Sequence, residues 1–126
     1  MIYVASPYSH RDPKIRQERF EKVCDFCSIM INRGLVVYSP IAHNHPISTR
    51  KELPKGFEFW KKFDLHILNL CEQITVLCID GWEESVGVQA EISFARKKNL
   101  PVIFRDENYE DIYKATKKFS YKRKKK

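Results

Sequence analysis

Two kinds of apolar pattern alternate along the chain. Short unbroken apolar runs read as buried strands, and longer segments with apolar positions three and four residues apart read as amphipathic helices. Ile2–Ala5 opens as a buried strand closed by Ser6-Pro7. Asp12-Pro13 supplies an N-cap followed by proline at the first helical position. It predicts a helix to about Arg33, with Phe20, Cys24, Cys27 and Ile31 on one face. Gly34 caps that helix, and residues 35–38 (LVVY) predict the second strand. Residues 39–56 (SPIAHNHPISTRKELPKG) read as a long polar loop, of a length that tends to be functional or disordered in a compact domain. A helix follows over residues 57–70, with Trp60, Phe63, Ile67 and Leu70 periodic. Residues 74–79 (ITVLCI) are the most apolar run and should be the central strand. The next helix begins near Glu84 and stops at Asn99-Leu-Pro101. Residues 102–104 are the last strand, and residues 108–119 a terminal amphipathic helix.

Nearly continuous apolar strands alternating with helices mean parallel strands with helices on both faces. The expected fold is α/β, a Rossmann-like three-layer sandwich with a small parallel sheet of four or five strands. Ligands in such sheets bind outside the carboxyl ends of the strands. Residues 6–12, 39–56 and 80–87 should therefore converge on one rim. No internal repeat or second domain is visible; residues 1–119 should form the α/β domain and residues 120–126 a basic tail.

Composition narrows the class. With 126 residues, 43% hydrophobic and 13% aromatic, the chain is long and apolar enough for one globular core. No apolar run approaches the ~18 residues of a membrane span. The opening MIYVASPYS has no basic and apolar leader pattern, so no signal peptide is expected. Four cysteines without secretory context suggest reduced thiols and a cytoplasmic location. Cys24 and Cys27 form a CxxC, but inside a helical pattern they read as small core residues rather than redox or metal groups. The net charge of +7 invites a nucleic-acid partner. Residues 117–126, however, hold seven Lys or Arg and no acid, and the body is close to neutral. That run reads as a solvated terminus with, at most, weak polyanion contact.

Candidate chemistry centres on GWEESVGVQAEISFA, residues 81–95. As a helix, it places Val88, Ile92 and Ala95 on one apolar stripe, with Glu91 on the same stripe. A buried carboxylate is costly, so it either serves a reaction or is satisfied by a neighbouring Arg or backbone amide. Ser85 and Gly87 stand at the helix start, where free N–H groups can hold an anion such as phosphate. Ser85 alternatively caps its own helix. Asp64, beside Trp60, Phe63 and Ile67, is a second carboxylate near the rim, and two carboxylates equip a site to cleave a bond at an anomeric carbon. His43 and His45 form an H-x-H without an obvious third ligand, so no metal is expected; substrate contact, acid/base help or a structural role remain. Arg11, Arg16 and Arg19 could meet a phosphate or lie solvated, and Ser6 is a further substrate-contact candidate on the first rim segment.

The ordered set YVASPYS, Asp64, DGWEESVGVQAE and A-x(5)-P-V resembles the nucleoside 2-deoxyribosyltransferase-like superfamily over residues 1–104. It is nearest a bacterial and phage branch catalogued only as a domain of unknown function. That branch is similar to the deoxynucleoside 5′-monophosphate N-glycosidases in its Ser-x-Gly-x(3)-Glu spacing, met here by Ser85, Gly87 and Glu91. The resemblance implies that Glu91 attacks C1′ of a (deoxy)ribonucleotide and forms a glycosyl ester resolved by water or by a second base. It implies that Asp64 contacts sugar or base, that Tyr8 lies near the sugar and the nucleophile, and that Ser85 holds the phosphate. It implies no cofactor. It also implies a homo-oligomer, to which the aromatic positions Phe57, Phe59, Trp60 and Phe63 add apolar area that a monomer does not easily cover. The loop SPYSHRDP lacks the glycine-rich or arginine-marked form of the monophosphate hydrolases, and HNHP is not required by the transferases. Base exchange, a non-catalytic nucleotide-binding protein and a nucleic-acid binder are the competing functions.

Overall fold

The computed structural model describes residues 1–112. Eight elements follow in the order β1 (Ile2–Ala5), α1 (Pro13–Asn32), β2 (Val37–Tyr38), α2 (Pro40–Arg50), α3 (Phe57–Asn69), β3 (Gln73–Leu77), α4 (Val86–Lys97) and β4 (Val102–Arg105). The four strands form one all-parallel sheet in the order β2-β1-β3-β4. Tyr3 on β1 stands in register with Tyr38 on one side and Ile74 on the other. This is the Rossmann-like α/β sandwich expected from the alternation of patterns.

The side chains of successive strand residues point to opposite faces, and two cores result. Tyr3 and Ala5 of β1 join Ile74 and Val76 of β3 against Leu68 of α3 and Val88, Ile92 and Ala95 of α4. Val4 and Leu77 face the other way, onto Val23, Phe26 and Met30 of α1. The chain leaves β1 toward β2, then crosses back to β3 on the far side of β1. The order of connection therefore reverses between β1 and β3, which opens a crevice at their carboxyl ends.

Four local expectations are corrected. Residues 39–56 are mostly helix: Ser39 caps α2, accepting from Ala42 N at 3.0 Å, and Pro40 takes the first turn. Ser39-Pro40 repeats the device of Asp12-Pro13, whose aspartate accepts from Lys14 N at 2.9 Å; the internal Pro46 hides it from a periodicity reading. On α1 the buried stripe is Val23, Phe26, Cys27 and Met30, while Ile31 is 59% exposed. On α3 the buried residues are Asp64 and Leu68, because the face carrying the carboxylate turns inward and leaves Phe63 and Leu70 exposed. The helix expected from residue 108 does not start there: a turn precedes an antiparallel bridge from Asp111 to Arg105. The rest of that expected helix and the basic tail lie outside the described residues. Among the described residues no helix is long and apolar enough to cross a membrane.

Candidate active site

The crevice at the β1/β3 switch point is a cavity of about 670 Å³. Its walls come from the turn after β1, from α2 and the start of α3, and from the turn between β3 and α4. Of the residues singled out in the sequence, Ser6, Tyr8, Arg19, His45, Asp64, Ser85, Gly87 and Glu91 all line it. His43 does not; it is exposed and stacks on Phe63 with ring centres 5.4 Å apart. The two histidines diverge, and among the described residues no group of three or more His, Cys, Asp or Glu is placed to hold a metal.

Glu91 sits in the first half of α4 with only 4% of its surface exposed. Tyr3 donates its hydroxyl to Glu91 Oε2 at 2.7 Å. No cation pairs with the carboxyl among the described residues, so its one resolved partner is a neutral phenol. Burial lifts Glu91 to about 8; the Tyr3 bond opposes this, and the nearby charge of Asp64 adds to it. Asp64, 3% exposed, accepts from Asn44 Nδ2 at 2.9 Å. Burial pushes it to about 6, against the Asn44 bond and the influence of His43. His43 Nδ1 lies 2.7 Å from Asn44 Oδ1. Because the Asn44 amide nitrogen already donates to Asp64, its oxygen accepts from His43. His43 thus acts on Asp64 through Asn44, from outside the cavity. The Tyr3 phenol, between the two carboxyls, is itself raised well above its usual range, first by burial and then by Glu91 and Asp64.

A second group of residues marks an anion-seeking end. Ser85 is the N-cap of α4, and its Oγ accepts from Val88 N at 3.1 Å. The capping role is therefore real, and the hydroxyl proton stays available to a ligand, since capping uses only a lone pair. The Ser6 hydroxyl is buried and finds no hydrogen-bond partner among the described residues. Arg19 donates to Ser9 O at 3.0 Å and to Asp80 O at 3.3 Å, tying the turn after β1 to the turn after β3. No carboxylate pairs with it among the described residues. Gly81 is required there by its φ of +92°, and a Cβ would also push the tip of the Arg19 guanidinium aside. Gly87 has an added structural role, since a Cβ would lie 3.1 Å from the Phe57 ring.

The phenol bonded to Glu91 is Tyr3, while Tyr8 lines the same cavity and directs its hydroxyl to His45. The Tyr8 hydroxyl lies 2.6 Å from His45 Nδ1, and Phe20 stacks on that imidazole at 4.3 Å. Tyr3, Asn44 and Gln17 are the site residues that sequence reasoning missed. A tyrosine inside an otherwise aliphatic strand is a usable signal, because its buried hydroxyl must find a partner. Asn44 had none as long as residues 39–56 read as a loop.

Residues 1–107 match the family described as a domain of unknown function, DUF1937. The chain belongs to this family. The match covers all eight elements and every residue of the cavity wall. No curated protein matches the chain significantly. Membership in DUF1937 thus fixes kinship and leaves the chemistry to be argued from the cavity.

Proposed function

We propose that the protein is an N-glycosidase that cleaves the base–sugar bond of a (deoxy)nucleoside 5′-monophosphate through a covalent glycosyl-Glu91 intermediate. The observation that carries this reading is the Glu91 carboxyl, buried in the wall of a ligand-sized cavity, unpaired by any described cation and oriented by the Tyr3 hydroxyl. A structural carboxyl in such a place is met by a cation or by backbone amides, or is simply kept protonated; a nucleophile has to be oriented toward the cavity and left without a cation, as Glu91 is. Asp64 supplies the second carboxyl, and its raised proton affinity suits a group that gives a proton to a departing base. Ser6, Ser85, Arg19 and the N-terminus of α4 offer donors and positive charge for a phosphate. The resemblance to the nucleoside 2-deoxyribosyltransferase-like superfamily points the same way.

The reactive form holds the proton of the pair on Asp64 and leaves Glu91 ionised, the reverse of the order their proton affinities of about 6 and about 8 favour, so it is the minor arrangement; from it Glu91 attacks C1′ and the C1′–N bond breaks. Its electron pair leaves with the base, which takes the Asp64 proton. Water then attacks C1′ of the ester, giving free sugar phosphate and regenerating the Glu91 carboxylate, while its proton returns to Asp64. Incubation with a panel of nucleosides and nucleotides tests this: free base should appear from 5′-monophosphates. Absence of release from every member would overturn the reading. Base exchange is the nearest alternative, and an added acceptor base would then yield a new nucleoside.

Assembly is part of the reading. Phe59 is 52% and Phe63 41% exposed on α3, beside Val86 at 72%. This apolar strip borders the cavity mouth at Phe57 and Trp60 and suits a second copy of the chain.

A further inference from the structure

Tyr8 and His45 belong to a four-residue chain of hydrogen bonds that the glycosidase mechanism does not use. Glu21 Oε2 accepts from Gln17 Nε2 at 2.9 Å. A carboxylate only accepts, so this contact fixes which end of the Gln17 amide faces which way. Gln17 Oε1 then lies 3.1 Å from His45 Nε2 and, being a carbonyl oxygen, must accept. The His45 proton therefore resides on Nε2. Burial, with Lys55 and Arg16 nearby, lowers the affinity of the ring for a second proton, so Nδ1 carries a lone pair. Across the 2.6 Å contact, Tyr8 must donate to Nδ1. The phenolic hydrogen is thus committed away from the cavity; Arg16 also bonds the phenol and, being a guanidinium, donates to its oxygen, so what Tyr8 has left to offer a ligand is a lone pair.

We infer that Tyr8 presents a hydrogen-bond acceptor, and not a donor, to the ligand, and so selects nucleotides that carry an O–H or N–H at that point. This rests on the nucleotide reading above. Two parts of a nucleotide can supply such a donor: a hydroxyl of the sugar or an N–H of the base. A ligand bringing only an acceptor to this place would face lone pair against lone pair, with no phenolic proton free to turn. A cavity built this way discriminates, because a ligand donor is paired by the phenol oxygen whereas a ligand acceptor is set against its lone pair. Tyr8 is 8% exposed and His45 9%, so water offers little relief.

The test has two parts on the full-length protein. Nitrogen-15 NMR of the histidine side chains should find His45 with its proton on Nε2 and a bare Nδ1; a proton on Nδ1 would overturn the inference whatever the substrate. Binding is then measured on Glu91→Gln protein, which cannot turn over, with pairs of 2′-deoxynucleoside 5′-monophosphates. One pair differs in the 3′-hydroxyl and the other in the exocyclic amine of a purine. One of the two pairs should differ in affinity by about tenfold or more, and its identity tells whether sugar or base supplies the donor. Adding Tyr8→Phe should erase that difference by weakening only the donor-bearing member. Adding His45→Leu, which frees the phenolic proton, should relax it. Equal affinities within both pairs, or a difference that survives Tyr8→Phe, would overturn the inference. If no nucleotide binds, the function proposed above falls, while the NMR result still decides the polarity of Tyr8.

Discussion

Tyr3 and Glu91, 88 positions apart in the chain, meet across 2.7 Å, Tyr3 from within the core and Glu91 from the cavity wall. Tyr3 belongs to the core layer of β1 and Glu91 to the buried stripe of α4, so the contact is part of how helix and sheet pack. Tyr3→Phe removes the one resolved hydrogen-bond partner of the Glu91 carboxyl. The Tyr3 bond holds the proton affinity of Glu91 down, so its loss raises it further. Less of Glu91 is then ionised at a given pH, so the rising limb of kcat/KM should move to higher pH, and stability should fall by roughly 1–3 kcal/mol. A pH–rate profile and a denaturant titration check both.

Glu91→Gln should abolish base release, because the amide is isosteric but a poor nucleophile. The same variant has a second signature in stability. Glu91 is raised from 4.5 to about 8 in the fold, so the folded state holds a proton that the unfolded chain releases. Wild-type stability is fully present below about pH 4.5 and falls as the pH rises toward 8 and beyond. The glutamine variant carries no such dependence. The two proteins should match in acid and diverge above it, with the variant more stable at pH 9 by on the order of a few kcal/mol. Parallel melting curves across the pH range would contradict the burial argument.

Asp64→Asn should lower kcat by about 100-fold or more if the carboxyl protonates the leaving base. The asparagine oxygen still accepts from Asn44, so the fold should hold. Removing the Asp64 charge also removes a contribution that raises Glu91. Residual activity should therefore reach its ionised-nucleophile plateau at lower pH than in wild type.

The two serines of the anion-seeking end should behave differently. Ser6 Oγ makes no bond with the described residues, so Ser6→Ala should leave the melting temperature unchanged or slightly higher. Ser85→Ala loses a helix cap and should cost ~1 kcal/mol. Both should weaken monophosphates more than nucleosides. Equal losses for the two ligand types would restrict Ser85 to capping.

The exposed aromatic strip on α3 predicts self-association. Light scattering at micromolar concentration should give a mass above that of one chain. Phe59→Lys should lower it without changing the circular dichroism spectrum. A clean wild-type monomer would remove the assembly reading.

The layer order, the convergence of three segments and the burial of Glu91 were all legible in the sequence, because each follows from a period. Val88, Glu91, Ile92 and Ala95 share a stripe by spacing alone, and the structure buries all four. What was not legible depends on which of two acceptable stripes a helix turns inward. Both α1 and α3 offer more than one apolar line, and packing against the sheet chose the one with Met30 and the one with Asp64. Helix α2 was hidden by Pro46 and by its polar composition, and with it went Asn44. Tyr3 was seen as core; its bond to Glu91 is a tertiary fact that no local pattern encodes.

Arg19 holds the carbonyls of Ser9 and Asp80 together. The mouth of the cavity is thereby set in place during folding, before any substrate arrives. A ligand then meets a stiff opening and need not order two floppy turns around itself. Such an entrance favours rapid capture and release, and it leaves affinity to the contacts made inside.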